Sequence, residues 1–374
     1  GPNMLLFSAL LLVLASAGVL VVAKIILGLL LMLGPIFAVL GLFASTRGLT
    51  LGWGRAAVLM ALVPVMAIMT SAGAVAVLEP VLTQMYLSAG QGVFALRAAL
   101  AILVIVLIMG AVSVELVHLG SLYHDDVMDD ATTRRTVESV NARWGNLKAI
   151  LAGDYLLAKA SEIAASLGTE VAGLLAATIG KLCEGQILEL QHAFSLDRTE
   201  EAYLRSINGK TASLLGTACR VGGIVANLPR PQIDALTTFG NSFGMAFQIV
   251  DDLLDVTSTD EELGKPAGHD LVEGTYTLPV IRTLAAGGAE ADELRSLLVK
   301  LAPTDGSIEP VQDPDTLGRA RTLLRSSPSV KDSLDTARSY VEAGQRALAP
   351  YAGTEAVTAL EAAAEHLLGT VRSA

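Results

Sequence analysis

Hydrophobic residues are distributed along this chain in two different ways. In residues 1–115 they form long runs that are almost free of charge, over Met4–Ala23, Ile25–Thr46, Ala56–Leu78 and Ala98–Val114. A membrane-spanning helix needs about 20 such residues, so the first three runs predict transmembrane helices. The fourth is short and equally compatible with a buried helix. From residue 116 onward, apolar residues recur three and four positions apart, which predicts a domain made almost wholly of amphipathic helices.

Breaks in the helical pattern fall where Pro, Gly, Asp and Ser cluster. They lie at residues 227–231, 257–270, 301–315 and 326–329, and no alternating strand pattern persists between them. We therefore predict two parts, a hydrophobic membrane segment over residues 1–97 and a helical domain over residues 98–374. We expect the leading Gly-Pro-Asn to be the remnant of a tag.

Charge separates the same two parts. Residues 1–115 hold four basic and two acidic residues, whereas residues 116–374 hold 22 basic and 35 acidic ones, a net charge of −13. An acidic domain without a basic tract argues against nucleic acid as a partner. Arg47 and Arg55 flank the polar stretch after the second run, which the positive-inside rule places in the cytoplasm. With four crossings, we expect an inner or plasma membrane protein whose C-terminal domain is cytoplasmic.

Two clusters of aspartate interrupt otherwise apolar helical sequence, one in LYHDDVMDD and one in FQIVDDLLD. Residues i and i+4 lie on one face of a helix, so each DDxxD pattern presents carboxylates side by side. Like charges placed in this way repel, and an apolar helix has no structural use for them. Paired carboxylates suit Mg²⁺, which binds them together with water and substrate phosphate oxygens. The predicted Mg²⁺ ligands are Asp125, Asp126, Asp129, Asp251, Asp252 and Asp255.

Basic residues near the two clusters complete the predicted site. A diphosphate needs positive charge beyond the metal ions, and Arg or Lys supplies it. Arg134 and Arg135 follow the first cluster, Lys210 and Thr211 form a pair in NGKTASLLG, and Lys265 follows the second cluster. Each alone is typical of a protein surface, but together with the two acidic clusters they predict one diphosphate cradle.

These motifs, in this order, resemble those of the trans-isoprenyl diphosphate synthases, the polyprenyl synthetase family. The matching segments, within about residues 112–374, are VELVHLGSLYHDDVMDDATTRR, VNARWGNLKAILAGDYLLAKA, EGQILEL, NGKTASLL and FGMAFQIVDDLLDVTSTDEELGKPAGHDLVEGTYTLPV. The resemblance implies an all-α, isoprenoid-synthase-type helical bundle, usually a homodimer. It also implies the Mg²⁺-dependent, head-to-tail condensation of isopentenyl diphosphate with an allylic diphosphate. Residues 5–80 resemble, more weakly, a polytopic membrane component of type IV secretion and conjugation systems.

The resemblance also implies roles for individual side chains. The six aspartates hold Mg²⁺ against the allylic diphosphate, with Lys210 and Lys265 as catalytic cations. The remaining residues that the resemblance assigns to substrate binding are His118, Arg134, Arg135, Thr211, Gln248 and Arg97.

Product length is set in this family by how far the growing chain can extend beneath the first aspartate cluster. Gly120 occupies the fifth position before that cluster, where short-chain members carry a bulky aromatic residue. Leu116 and Val117 lie one turn deeper and are not aromatic either. The resemblance therefore implies a long-chain polyprenyl diphosphate, with close helix packing as the alternative reason for a glycine here.

One family motif is incomplete. Family members carry GGKRxRP ahead of the first cluster, and the nearest text here is GVFALRA, with Phe94 and Ala95 where cations belong and only Arg97 kept. This leaves two alternative functions open. One is a terpene cyclase or diphosphate lyase that uses the allylic site alone, and the other is a non-enzymatic membrane or secretion component with a defective synthase remnant.

Overall fold

The computed structural model describes residues 93–134, 137–259, 267–303, 311 and 313–371, with side chains from residue 104 onward. The chain divides into two compact units, Gly1–Ile105 and Val106–Ala374, and the described residues lie mainly in the second. The three predicted transmembrane runs before residue 93 lie outside the described residues. The division that we predicted at residue 97 stays a prediction.

The described part of the chain is helical almost throughout, which confirms the predicted all-α fold. A two-stranded antiparallel hairpin joins β1 (Thr133–Arg134) to β2 (Val137–Glu138). The helices are α1 (Val93–Met128), α2 (Val140–Trp144), α3 (Asn146–Ser166), α4 (Thr169–Gln191), α5 (Glu200–Ile207), α6 (Ser213–Val225), α7 (Arg230–Thr257), α8 (His269–Glu273), α9 (Leu278–Ala286), α10 (Gly288–Leu301), α11 (Pro314–Ser326), α12 (Pro328–Leu348) and α13 (Glu355–Gly369).

The four predicted breaks in the helical pattern are confirmed. They separate α6 from α7, α7 from α8, α10 from α11 and α11 from α12. Local chemistry explains where the new helices begin, because the side chains of Asp313 and Ser327 accept backbone N–H groups at the starts of α11 and α12. Proline occupies the first turn of both helices, where its missing N–H costs nothing.

The long helix α7 carries most of the core. Its apolar face, including Ile249 and Leu253, packs in a cluster with residues of α5, α9, α12 and α13. A second cluster lies around Val256, α8, α10 and α11, and a third joins α1, α3, α4 and α6. Two described helical segments, Val104–Met128 and α4, are long and apolar enough to cross a membrane, yet both contribute residues to the third cluster.

A short π-helical turn, Asn208–Ala212, lies between α5 and α6. Two glycines allow neighbouring helices to approach it closely. A Cβ atom on Gly185 of α4 would lie 2.4 Å from the backbone nitrogen of Lys210, and one on Gly244 of α7 would lie 2.5 Å from Cα of Ala212. Larger residues at these positions would push the helices apart, so the glycines fix the position of Lys210 and its neighbours in the fold.

Candidate active site

The first aspartate cluster lies at the C-terminal end of α1. Asp125 is half-buried and Asp129 is exposed, one turn further along the chain. Burial raises the pKa of Asp125, against the opposing charges of Lys210 and Arg134. Desolvation by the surrounding protein, followed by the negative charge of Glu273, raises the pKa of Asp129 to about 6, although part of its side chain is open to solvent. Both carboxylates can therefore accept a metal ion or a proton from the solvent side.

Asp126, between them in sequence, lies in a different environment. It is buried, and its Oδ1 accepts hydrogen bonds from Nε and Nη2 of Arg134 at 2.8 and 2.5 Å. Its backbone carbonyl accepts a hydrogen bond from Nδ2 of Asn141 at 2.9 Å. Arg134, which we predicted to bind the diphosphate, is thus paired with Asp126 in this structure. The pair attaches the β-hairpin to the end of α1.

The second cluster lies in the last two turns of α7 and is divided in the same way. Asp251 is exposed, whereas Asp252 and Asp255 are buried. Asp252 accepts hydrogen bonds from the Tyr203 hydroxyl at 2.5 Å and from Nε2 of Gln248 at 2.8 Å. Burial raises the pKa of Asp252, and these two hydrogen bonds oppose the increase. Asp252 is therefore held by protein groups rather than open to a ligand.

Asp255 is bound to the start of α8. Its two carboxylate oxygens accept the backbone N–H groups of His269 and Asp270 at 3.3 and 3.2 Å. Helix N-termini favour a negative charge because their first N–H groups have no partner within the helix. This carboxylate therefore joins the last turn of α7 to α8.

The six aspartates thus differ in burial, and their assignment as Mg²⁺ ligands stays a prediction. Asp126, Asp252 and Asp255 are buried, whereas Asp125, Asp129 and Asp251 are at least partly exposed and are therefore the more open carboxylates. Within the described residues, no three His, Cys, Asp or Glu side chains lie close enough together to hold a metal ion. Mg²⁺ typically binds one or two protein carboxylates and completes its shell with water and substrate phosphate oxygens.

Lys210 lies in the π-helical turn, close to the first cluster. Its Nζ donates to Oε1 of Glu189 at 2.6 Å. Burial alone would lower the pKa of Lys210, but Glu189 and then Asp125 outweigh burial and raise it to about 12. The ammonium group is therefore charged at neutral pH and stands next to the carboxylates.

Thr211, the next residue, begins a directed chain of hydrogen bonds. Its hydroxyl donates to Oε1 of Gln248 at 2.7 Å, and Gln248 in turn donates to Asp252. The predicted Lys-Thr pair and Gln248 are thereby brought to one site, with Lys210 next to the first cluster and Thr211 linked to the second.

Glu189, in the last turn of α4, is a site residue that the sequence analysis missed. Its negative charge raises the pKa of Asp125 and Asp129 in the first cluster and of Asp252 in the second. Glu189 therefore lies near both clusters. The segment EGQILEL contributed to the family resemblance, but nothing in it distinguished Glu189 from the solvated glutamates of other helices.

The predicted roles of several residues in substrate binding stay predictions. Arg135 and Lys265 lie outside the described residues, and so does the side chain of Arg97 on α1. His118 is half-buried, two turns before Asp125 on α1, and its ring makes no hydrogen bond to any described residue. The assignment of His118 to substrate binding stays a prediction.

Gly120 packs against α3, which favours close helix packing as the reason for a glycine at this position. A Cβ atom here would lie 3.1 Å from both the backbone oxygen of Gly153 and Cγ of Leu157. Val117 is fully buried in the cluster shared by α1, α3, α4 and α6, and Leu116 packs against it. The glycine therefore permits a close helix crossing, and control of product length by Gly120, Leu116 and Val117 stays a prediction.

Two segments of the chain match known protein families. A profile described as polyprenyl synthetase matches residues 104–312, and one described as TrbL/VirB6 plasmid conjugal transfer protein matches residues 3–116. The resemblance to the polyprenyl synthetase family and the weaker resemblance to a conjugation membrane component are thus confirmed.

Three known proteins illustrate the similarity. Nonaprenyl diphosphate synthase of Mycobacterium tuberculosis is 41% identical over 244 residues, which are 65% of this chain and 70% of that protein. Heptaprenyl diphosphate synthase component 2 of Geobacillus stearothermophilus is 42% identical over 207 residues, 52% of this chain and 65% of that protein. The crystal structure of polyprenyl synthase from Caulobacter crescentus, complexed with calcium and isoprenyl diphosphate, matches with a TM-score of 0.64 and 29% identity, covering 79% of this chain and 89% of that one.

A bulky residue at position 120 should disrupt the helix crossing instead of shortening a product. We expect Gly120→Phe to lower the melting temperature by about 5 °C or more, because overpacking typically costs about 1–3 kcal/mol. Gly173→Phe on α4, where a Cβ atom would meet nothing within 4 Å, should leave it nearly unchanged. Differential scanning calorimetry and chromatography of dephosphorylated products measure both effects. A Gly120→Phe variant that is fully stable and makes shorter chains would instead support the predicted role of Gly120 as the floor of the product channel.

Proposed function

The chain belongs to the polyprenyl synthetase family, and we propose that it is a Mg²⁺-dependent prenyltransferase that condenses isopentenyl diphosphate with an allylic diphosphate. The observation that carries this proposal is that Glu189 binds the charged Lys210 and lies near carboxylates of both aspartate clusters, on α1 and α7. A diphosphate with bound metal ions has the charge and the oxygen ligands that this arrangement requires.

The donor set fits Mg²⁺. We assign Asp125, Asp129 and Asp251 as its protein ligands, because they are the cluster carboxylates that are not buried. Mg²⁺ typically binds one or two carboxylates and completes its shell with water and substrate phosphates. The Caulobacter crescentus relative, which holds calcium and isoprenyl diphosphate, supports a hard divalent cation at such a site. Bound Mg²⁺ supplies positive charge that stabilises the departing diphosphate.

The protein groups around this site have separate tasks in the reaction. Lys210 donates its ammonium N–H groups to the diphosphate, and Glu189 keeps the lysine charged and in position. Thr211 and Gln248 orient Asp252 beneath Asp251. These fixed donors and charges favour breaking of the C–O bond between the allylic carbon and the diphosphate.

An apolar wall then protects the allylic cation from water. Phe247 lies one turn before Asp251 on α7 and is 43% exposed, so its ring adjoins the carboxylate end of the helix. The alkene carbon of isopentenyl diphosphate forms the new bond to the cation, and a proton leaves to the released diphosphate. Exclusion of water prevents hydrolysis of the cation during this step.

The product that we propose is a long-chain polyprenyl diphosphate, with a role as a quinone side chain. The nonaprenyl diphosphate synthase, which is 41% identical over 244 residues, supports this length. The sequence of α1 before Asp125 also offers no aromatic side chain at positions 116, 117 or 120.

We also propose that residues 1–97 anchor the enzyme in the inner or plasma membrane, with the catalytic domain in the cytoplasm. The match of residues 3–116 to conjugal transfer proteins and the three long uncharged runs support this placement. A membrane anchor would keep the enzyme at the bilayer that receives its long apolar product.

A homodimer is the assembly that we propose. Three exposed apolar residues on α3, namely Leu147, Leu151 and Tyr155, are spaced four apart and form one stripe, and Ile187 and Leu190 lie exposed on α4. Apolar side chains aligned in this way usually mark an interface.

The activity is tested with the full chain in detergent, supplied with Mg²⁺, radiolabelled isopentenyl diphosphate and farnesyl diphosphate. We expect elongated polyprenyl diphosphates, reversible loss of activity with EDTA, and retention of activity in carbonate-washed membranes. Cyclic hydrocarbon or free diphosphate alone would identify the ionising lyase alternative instead. Complete inactivity toward several allylic primers would support the defective remnant.

The difference in burial among the aspartates leads to a second prediction. Asp125→Asn should lower turnover by about 100-fold or more with little change in melting temperature, because it removes charge at an open site. Asp255→Asn should lower the melting temperature as well, because it weakens the attachment of α8. Turnover and calorimetry on the same samples separate the two effects. Equal melting temperatures for both variants would contradict the division.

The proposed interface is tested by placing a charge within the stripe on α3. Leu151→Asp should convert the dimer to a monomer, measured by light scattering of the full chain in detergent with correction for bound detergent. Val299→Asp on α10 is the matched control, because Val299 is comparably exposed outside the stripe. A Leu151→Asp protein that keeps the dimer mass would exclude this surface.

A further inference from the structure

Arg198 is a charged residue in the interior that the mechanism above does not use. It lies in the connection between α4 and α5 and is only 5% exposed. Its Nη1 donates to the backbone carbonyl of Tyr276 at 3.0 Å. Its Nε and Nη2 have no hydrogen-bond partner in the part of the chain that the structure describes. Burying a guanidinium with unused donors is costly, so stability alone does not account for an arginine here.

The groups around Arg198 are acidic or aromatic. Glu189, Tyr203, Asp252 and Asp270 each favour its charged form, against the effect of burial, which lowers its pKa. An anion from solution would be repelled by the carboxylates of Glu189, Asp252 and Asp270. The unused donors of Arg198 therefore do not form an anion-binding site. The arginine instead supplies positive charge behind the second aspartate cluster.

A direct path connects Arg198 to Asp252. Its guanidinium carbon lies 5.5 Å from the ring centroid of Tyr203, within the range of a cation–π interaction. The hydroxyl of the same ring donates to Oδ2 of Asp252 at 2.5 Å. Because Tyr203 is fully enclosed, the position of its ring determines where this hydroxyl points.

The connection that carries Arg198 is itself attached near α8. The backbone N–H of Phe194 donates to the carbonyl of Gly274 at 2.9 Å, and Arg198 binds the carbonyl two residues further along. Gly274 has a φ of +73°, and a Cβ atom on it would lie 2.4 Å from Cδ1 of Phe194, so only glycine fits against this ring. The same chain segment leaves α8, whose first turn binds Asp255.

We propose that Arg198 is a positioning residue for the second aspartate cluster. It fixes the Tyr203 ring and the segment after α8, and through Tyr203 it holds Asp252, the residue next to Asp251 on α7. This inference rests on the proposed function, in which Asp251 binds Mg²⁺. Residues that orient metal ligands in this way typically change metal affinity or activity by about 10–100-fold when they are replaced.

The test measures Mg²⁺ binding in the presence of saturating inorganic diphosphate by calorimetry on the full chain, alongside turnover and melting temperature. We expect Arg198→Met to weaken Mg²⁺ binding and lower kcat by about tenfold or more, with KM for isopentenyl diphosphate nearly unchanged. Its melting temperature should stay equal or rise, because replacing a poorly paired buried charge with an apolar side chain is often neutral or stabilising.

Two further variants and one control make the result specific. Arg198→Lys, which keeps the charge, should recover part of the Mg²⁺ affinity, and Tyr203→Phe should reproduce the loss. The double variant with Arg198→Met should be no worse than either single one, because both act through one path. Arg282→Met removes an ion pair to Glu200 at the start of α5, away from the clusters, and should leave Mg²⁺ binding unchanged.

The outcomes distinguish this inference from the proposed function. Unchanged Mg²⁺ affinity in Arg198→Met, or a lowered melting temperature with normal Mg²⁺ binding, would overturn the positioning role. Additive losses in the double variant would also overturn it. If the unmodified chain binds Mg²⁺ with diphosphate, loses that binding on Arg198→Met, and yet elongates no primer, the positioning role stands and the proposed function fails.

Discussion

Repulsion among carboxylates is the constraint on which the rest of this structure depends. Six aspartates in two clusters, with Glu189 near both, lie in a domain whose helices are largely apolar, and each unpaired buried charge would be costly there. The fold solves this by giving each buried carboxylate a different kind of partner. Asp126 has a guanidinium, Asp252 has a hydroxyl and an amide, and Asp255 has the first turn of a helix.

These partners have structural consequences beyond charge balance. Arg134 attaches the β-hairpin to α1, Tyr203 attaches α5 to α7, and the N-terminus of α8 attaches the chain that follows α7. The acidic clusters thereby connect elements that are distant in sequence. Stability and the geometry of the site consequently depend on the same contacts, and the open carboxylates owe their position to their buried neighbours.

Lys210 depends on backbone packing rather than on charge alone. The π-helical turn that carries it can be approached by α4 and α7 only because residues 185 and 244 are glycines. Irregular helical turns often occur at functional sites, because they point side chains in directions that a regular helix does not offer. On α1, the two profile matches overlap at residues 104–116, so one helix carries both the end of the first match and the first aspartate cluster.

The sequence by itself determined the helical fold, the four breaks and the two aspartate clusters with the Lys210–Thr211 pair, but it missed Glu189. Apolar periodicity, proline and capping residues act within a few positions, so they can be read locally. It could not determine which aspartates are open, because the Tyr203 hydroxyl that engages Asp252 comes from 49 positions away. Nor could it show that Gly120 faces α3, or that Arg198 is buried behind the second cluster. Only the packing of distant helices decides those environments, since identical carboxylates or glycines on one helix differ solely in what the rest of the chain places against them.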